Sequence, residues 1–283
     1  MIVPAAPSQA LAGALARELD EPLGTVHYET FPDGEQLLEV PPQEGRAVVV
    51  GSTVSSDAHV QLLLLQDAVR EAGAEEVVTV IPYLGYARQD RAFKAGQPVS
   101  ARAVARAIST GTDRVLTVNP HEAAVCEFFD VPAESVDAAG RLSEPLPDDL
   151  TEPVFLAPDE GALDLAARVR DAHGTGETDA FEKERDYDTG EIEMRPGAVD
   201  VAGRDVVVVD DIIATGSTMS RAIDLLQEVG PEQVFVGTVH PLLVENARTK
   251  LEAAGVAGIY GTDTIERSVS AVSVAPVLAD ALE

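Results

Sequence analysis

From residue 46 onward, short valine-rich runs alternate with amphipathic stretches. The runs 46–52 (RAVVVGS), 75–83 (EEVVTVIPY) and 113–121 (DRVLTVNPH) read as strands. Between them, 57–73 (DAHVQLLLLQDAVREAG) and 100–110 (SARAVARAIST) carry helical spacing. Asp57 and Ser100 are the expected N-caps, and Gly73 closes the first helix. The proline- and acid-rich passage 141–153 (RLSEPLPDDLTEP) breaks the rhythm, so domains are expected over 1–145 and 146–283. The pattern then restarts with strands at 153–159, 204–211 and 232–240 and helices at 160–172, 217–230 and 243–255. Continuous apolar strands imply parallel sheets covered on both faces. The fold class that follows is α/β, two similar domains, each a mainly parallel sheet flanked by helices.

Composition narrows the class. At 283 residues and 45% apolar content, the chain suits two domains with real cores. No apolar run approaches the roughly 18 residues of a membrane span. The segment ALA at 14–16 mimics a signal cleavage site, but no positive charge precedes Arg17, so no secretory signal is expected. The single cysteine, Cys126, forms no internal disulfide; a cytoplasmic location follows, with Cys126 read as a buried small hydrophobe. Forty-nine acids face 20 bases, giving a net charge of −29, and only Lys94, Lys183 and Lys250 are lysines. Such an excess repels nucleic acid and anionic membranes, which excludes both as partners. It implies adaptation to a salt-rich cytoplasm, where the Debye length falls to about 3 Å and self-repulsion is screened.

The stretch 206–219 (VVVVDDIIATGSTM) concentrates the candidate chemistry. Four valines mark a strand buried on both faces, and Met219, Ile223 and Leu226 mark one face of the following helix. The turn between them lies at the carboxyl end of a parallel strand, where open α/β sheets bind ligands. A helix N-terminus there offers unpaired amides and a positive dipole end, suited to phosphate. Gly216 permits close backbone approach, and Thr215, Ser217 and Thr218 add hydroxyl donors. Asp210 and Asp211 suit either sugar hydroxyls or a divalent cation. A plain strand-to-helix turn capped by Ser217 is the competing reading.

This stretch resembles the phosphoribosyl-binding signature of the type I phosphoribosyltransferase fold. Four more stretches, FPDGE (31–35), PYLGYARQDR (82–91), NPHE (119–122) and APDEGA (157–162), resemble the ribose-phosphate pyrophosphokinase family. The matches run in the family's order across nearly the whole chain. The resemblance implies two phosphoribosyltransferase-like domains, with ATP and ribose 5-phosphate as substrates and Mg²⁺ as cofactor. In such a site the 5-phosphate docks on Ala214, Thr215, Gly216, Ser217 and Thr218, with Asp210 and Asp211 on the ribose hydroxyls and Arg185 also binding ribose 5-phosphate.

The remaining site residues each have a physical reading beside the implied one. Arg88, Arg91 and Lys94 stand out in so acidic a chain, since an arginine fork grips phosphate; a solvated patch is the alternative. The resemblance assigns Arg88, Gln89 and Arg91 to ATP. FPDGE reads as a tight turn; the resemblance makes Asp33, Gly34 and Glu35 ATP contacts, commonly from a neighbouring subunit, and so implies a homo-oligomer. His121 and Asp159 follow strand ends and match the family's metal positions. Asp159 also suits capping of the helix from Glu160, and Ala162 departs from the family's second glycine there. The charged stretch 180–194 reads as an exposed arm with a hairpin turn at DYDTG. On it, Lys183 and Arg185 match a basic pair that stabilises charge as pyrophosphate moves, although Glu184 between them departs from the more basic form.

The reaction implied is transfer of pyrophosphate from ATP to the anomeric hydroxyl of ribose 5-phosphate, for nucleotide biosynthesis. Two alternatives differ in kind. A phosphoribosyltransferase would need the 206–218 loop but not the other motifs, and a non-catalytic regulatory relative would have lost loop or metal residues that stand here.

Overall fold

In the computed structural model, residues 1–185, 192–195 and 197–283 are described, with side chains described outside 182–196. The chain divides into two compact units, Met1–Asp137 with Asp263–Glu266 and Ser273–Glu283, and Ala138–Thr262 with Arg267–Val272.

The first unit opens with β1 (Ile2–Pro4) and α1 (Gln9–Glu18), then a hairpin of β2 (His27–Thr30) and β3 (Gln36–Glu39). There follow β4 (Arg46–Val50), α2 (Ser56–Glu71), β5 (Glu76–Ile81), α3 (Ser100–Ser109), β6 (Arg114–Val118) and β7 (Ala133–Val136). Its sheet has the order β1-β4-β5-β6-β7, every pairing parallel. The valines of β4 are fully buried because helices cover both faces of the sheet.

The second unit holds β8 (Val154–Ala157), α4 (Leu163–His173), β9 (Glu177–Ala180), an antiparallel pair β10 (Glu182–Arg185) and β11 (Ile192–Arg195), and β12 (Asp205–Ile212). It continues with α5 (Ser217–Val229), β13 (Gln233–His240), α6 (Ala247–Ala253), β14 (Gly258–Thr262) and β15 (Ser270–Val272). Its parallel sheet runs β15-β14-β13-β12-β8-β9. Val206–Val209 are each fully buried at its centre. On α5, Met219, Ile223 and Leu226 pack into the same core, as their spacing predicts. The α/β class with parallel sheets flanked by helices is thus the observed one.

The last helix, α7 (Ala275–Leu282), belongs to the first unit and packs on α1. Two arginines hold its end: Arg46 donates to the Leu282 carbonyl at 2.9 Å and Arg114 to that of Ala281 at 3.0 Å. Cations there satisfy orphan carbonyls and oppose the negative end of the helix dipole.

Three local expectations are corrected. Ser55, in extended conformation, caps α2 by accepting from the Ala58 amide, so Asp57 sits in the first turn instead. Val99 occupies the N-cap position of α3, which frees the Ser100 hydroxyl for another partner. Cys126 is half-buried rather than buried, because its neighbour Val125 takes the inward position on a short 3-10 turn. Burial, with the Glu134 charge behind it, still pushes the Cys126 thiol up from its ordinary value.

Candidate functional site

In the second unit, three adjacent strands β9, β8 and β12 bring the candidate residues to one edge, each at or after its carboxyl end. Asp159 follows β8, Asp210 and Asp211 end β12, and the arm β10–β11 follows β9. The Asp159 carboxylate accepts from the Gly161 amide at 3.0 Å, so the capping role expected for it is real. Asp210 accepts from the Asp211 amide at 2.9 Å, and Asp211 from that of Ile212 at 2.8 Å. Burial and then the adjacent Asp211 carboxylate push the Asp210 carboxyl well above the usual range, with Asp159 adding to the effect. Three carboxylates are therefore crowded at one sheet edge.

The loop after β12 is pinned from behind. Leu243 donates to the Ile213 carbonyl at 2.9 Å and Val244 to that of Ala214 at 3.0 Å. Gly216 takes φ +70°, and a Cβ there would meet the Ala247 carbonyl oxygen at 3.2 Å. Only glycine combines that backbone conformation with that closeness. Gly216 is also the N-cap of α5 and no side chain caps the helix, so Ser217 is its first residue rather than its cap. Thr215, Ser217 and Thr218 are exposed beside uncapped amides, an arrangement that can accept an oxyanion.

Lys183 and Arg185 stand on β10, paired in register with Met194 and Ile192. Their side chains, and residues 186–191 with the expected hairpin turn at DYDTG, lie outside the described residues. Sequence reasoning missed Asp179, which clasps the base of this arm. One of its oxygens accepts from the Ala180 amide and the other from the Val199 amide, both at 2.8 Å.

In the first unit, the segment after β5 carries Arg88, Gln89 and Arg91, and the segment after the neighbouring β6 carries His121. Gly85 lies against the Thr53 backbone, where a Cβ would come within 2.2 Å of the carbonyl oxygen, and its amide donates to Thr53 Oγ1 at 2.8 Å. Ser100 donates to Gln89 Oε1 at 2.6 Å, which orients the Gln89 amide. Arg88 is exposed, while Arg91 lies over the Phe93 ring, 5.3 Å from its centroid. His121 is exposed at a bend that Asn119 braces by donating to Asp137 at 2.7 Å. Asp33, Gly34 and Glu35 form the exposed turn of the β2–β3 hairpin, closed by the Gly34 amide on the Phe31 carbonyl at 2.9 Å. No local motif announces Ser100 or Thr53, which act through contacts distant in sequence.

Among the described residues no group of three or more His, Cys, Asp or Glu stands ready as a complete metal site. The acidic edge nevertheless fits Mg²⁺, which prefers one or two carboxylates with substrate phosphates and water completing its shell. The crowding that raises Asp210 is what a divalent cation would relieve.

Residues 1–111 match the N-terminal domain of ribose phosphate pyrophosphokinase, and 128–276 match the phosphoribosyl transferase domain. A ribose-phosphate pyrophosphokinase of Halobacterium salinarum is 63% identical over the full length of both chains. That of Methanopyrus kandleri is 44% identical over 96% of this chain and 95% of its own. The crystal structure of phosphoribosylpyrophosphate synthetase from Mycobacterium smegmatis superposes with a TM-score of 0.84 at 26% identity, covering 100% of this chain and 97% of that one. Two domain matches in order and full-length identity this high leave one conclusion: the chain belongs to the ribose-phosphate pyrophosphokinase family.

Proposed function

We propose that the chain transfers the pyrophosphoryl group of ATP to the anomeric hydroxyl of ribose 5-phosphate, giving 5-phosphoribosyl 1-pyrophosphate and AMP. The observation that carries this reading is the loop 210–218, where paired carboxylates meet an uncapped helix start at the end of a buried strand. Ribose 5-phosphate docks with its phosphate on Ala214–Thr218 and its hydroxyls on Asp210 and Asp211. ATP sits in the domain over 1–145, held by Arg88, Gln89 and Arg91, with Ser100 fixing Gln89. Asp33, Gly34 and Glu35 reach ATP from the hairpin of a neighbouring copy; the exposed Phe31 and Leu37 on that hairpin support a homo-oligomer.

The anomeric oxygen attacks the β-phosphorus and AMP leaves. Lys183 and Arg185 stabilise the charge that develops on the moving phosphates. His121 in the first unit and Asp159 in the second would each serve as a ligand to Mg²⁺, which would supply neutralisation of phosphate charge when bound. Catalysis is otherwise positioning rather than covalent chemistry. Among the described residues no helix is long and apolar enough to cross a membrane, and the unpaired Cys126 supports a cytoplasmic site of action.

Product analysis with ATP, ribose 5-phosphate and Mg²⁺ in molar salt tests the reading. Equal amounts of AMP and phosphoribosyl pyrophosphate from the wild type, with a loss of orders of magnitude in Lys183→Ala, are expected. ADP in place of AMP would mean γ-phosphoryl transfer and overturn the attack at the β-phosphorus.

A further inference from the structure

Lys250 stands on α6, outside every motif that marks the loop 210–218, yet its side chain reaches that loop. Its Nζ lies 3.2 Å from the Thr215 carbonyl oxygen and 3.2 Å from Ser217 Oγ, one contact on each side of Gly216. Both partners are neutral oxygens, so neither offsets the ammonium charge. An ammonium has three N–H donors, and two are engaged here.

The contact is built into the fold. Gly216 packs against Ala247, which is fully buried three residues before Lys250 and thus one turn away on the same face of α6. The Leu243 and Val244 amides tie the segment entering α6 to Ile213 and Ala214. These contacts place Lys250 at the loop rather than leave it free in solvent. The other nearby cation on α6, Arg248, is engaged elsewhere, with Glu252 at 2.8 Å and Ser268 Oγ at 2.6 Å.

The electrostatics of the loop give that ammonium a purpose. Residues 210–218 contain two carboxylates and no cation, and a 5-phosphate brings nearly two further negative charges. A helix N-terminus offsets only about half an elementary charge.

We infer that Lys250 is a phosphate-binding residue of this site, bracing the 214–218 loop with two donors and giving its third to the 5-phosphate of ribose 5-phosphate. The inference rests on the reading of that loop as the ribose 5-phosphate site.

Steady-state kinetics in molar salt on Lys250→Met, Lys250→Arg and Arg248→Ala test it, with each substrate varied at saturation of the other. Lys250→Met raises KM for ribose 5-phosphate about tenfold or more, leaves KM for ATP within about twofold, and melts like the wild type. Lys250→Arg restores most of the loss, because it restores the charge; Arg248→Ala leaves both KM values in place. An unchanged KM for ribose 5-phosphate in Lys250→Met overturns the assignment. So does a parallel rise in both KM values with a lowered Tm, which would make Lys250 a structural brace alone. A wild type that forms no AMP or phosphoribosyl pyrophosphate would instead defeat the reading of the loop itself, whatever Lys250 does.

Discussion

Gly216→Ala separates the strain in the phosphate loop from its function, because the same unit holds glycines that share the strain but not the site. Gly216, Gly203 and Gly230 all have left-handed backbones, with φ of +70°, +69° and +85°. An alanine in that region costs about 1 kcal/mol relative to glycine. At Gly203 and Gly230 a Cβ would meet nothing within 4 Å, so this strain is the whole cost. At Gly216 it would meet Ala247 at 3.2 Å (carbonyl oxygen), 3.3 Å (Cα) and 3.4 Å (Cβ). Ala247 is fully buried and backs the loop, so the loop itself must give by a few tenths of an ångström. That adds roughly another 1 kcal/mol, by analogy with overpacked cores.

For a unit of this size, about 1 kcal/mol shifts Tm by roughly 2–4 °C. Gly203→Ala and Gly230→Ala should therefore melt about 2–4 °C low and Gly216→Ala about 4–8 °C low, measured by calorimetry in molar salt. Only Gly216→Ala moves the amides of the α5 start, so only it should raise KM for ribose 5-phosphate, by about tenfold. An unchanged KM in Gly216→Ala would mean the loop does not cradle the phosphate. An equal rise in Gly230→Ala would mean the kinetic loss is a general softening of the unit.

Three further outcomes follow from the geometry. The Asp210 carboxyl, raised by burial and by Asp211, holds its proton more tightly in the folded chain than in the unfolded one. That favours the folded state in acid, and the advantage is lost as pH rises from the ordinary carboxylate range through the folded value. Without divalent cation, Asp210→Asn should flatten this slope and gain stability near neutral pH while turnover falls; urea melts showing it weaker than wild type at neutral pH would contradict the reasoning. Asp179→Ala removes the acceptor of the Ala180 and Val199 amides at the base of the arm carrying Lys183 and Arg185. It should cost about 1.5–3 kcal/mol of stability and lower kcat with little change in either KM, and an unaltered kcat would refute the clasp. Finally, a chain of net charge −29 should melt well below its molar-salt Tm at about 0.1 M salt; equal Tm values would remove the argument for salt adaptation.

The central strands were legible because burial on both faces leaves an unbroken apolar run. Val206–Val209 are the clearest case, and all are fully buried. Edge and short strands were not, since β7 (AESV) and β9 (ETDA) need only half a face of apolar contact and look like loops. The return of α7 to the first unit has no local signal either, because what holds it is Arg46 and Arg114, far earlier in the chain. The cap of α2 was misplaced by two residues because two polar residues, Ser55 and Asp57, compete there. The same distinction runs through the candidate site. Loop residues in one contiguous stretch can be read from it, whereas Ser100, Asp179 and Lys250 bear on candidate residues through folded contacts that no spacing in the sequence encodes.

The charge of the chain and the charge of its substrates pose a last problem, and its resolution is testable. A protein of net charge −29 repels ATP and ribose 5-phosphate at a distance. At about 0.1 M salt that repulsion reaches some 10 Å, but at about 1 M it fades within about 3 Å. The groups proposed to hold the 5-phosphate work at contact range, as the 3.2 Å spacing of Lys250 from the loop illustrates. Salt should therefore strip away the long-range repulsion while leaving much of the contact attraction. Proteins that steer anions with a basic surface lose kcat/KM as salt rises; here kcat/KM for ribose 5-phosphate should rise. The measurement is kcat/KM between about 0.1 and 2 M KCl, normalised to the folded fraction from circular dichroism so that unfolding at low salt does not mimic the effect. A steady fall after that correction would mean that long-range attraction, from a positive patch strong enough to outweigh the acidic surface, brings the substrate in.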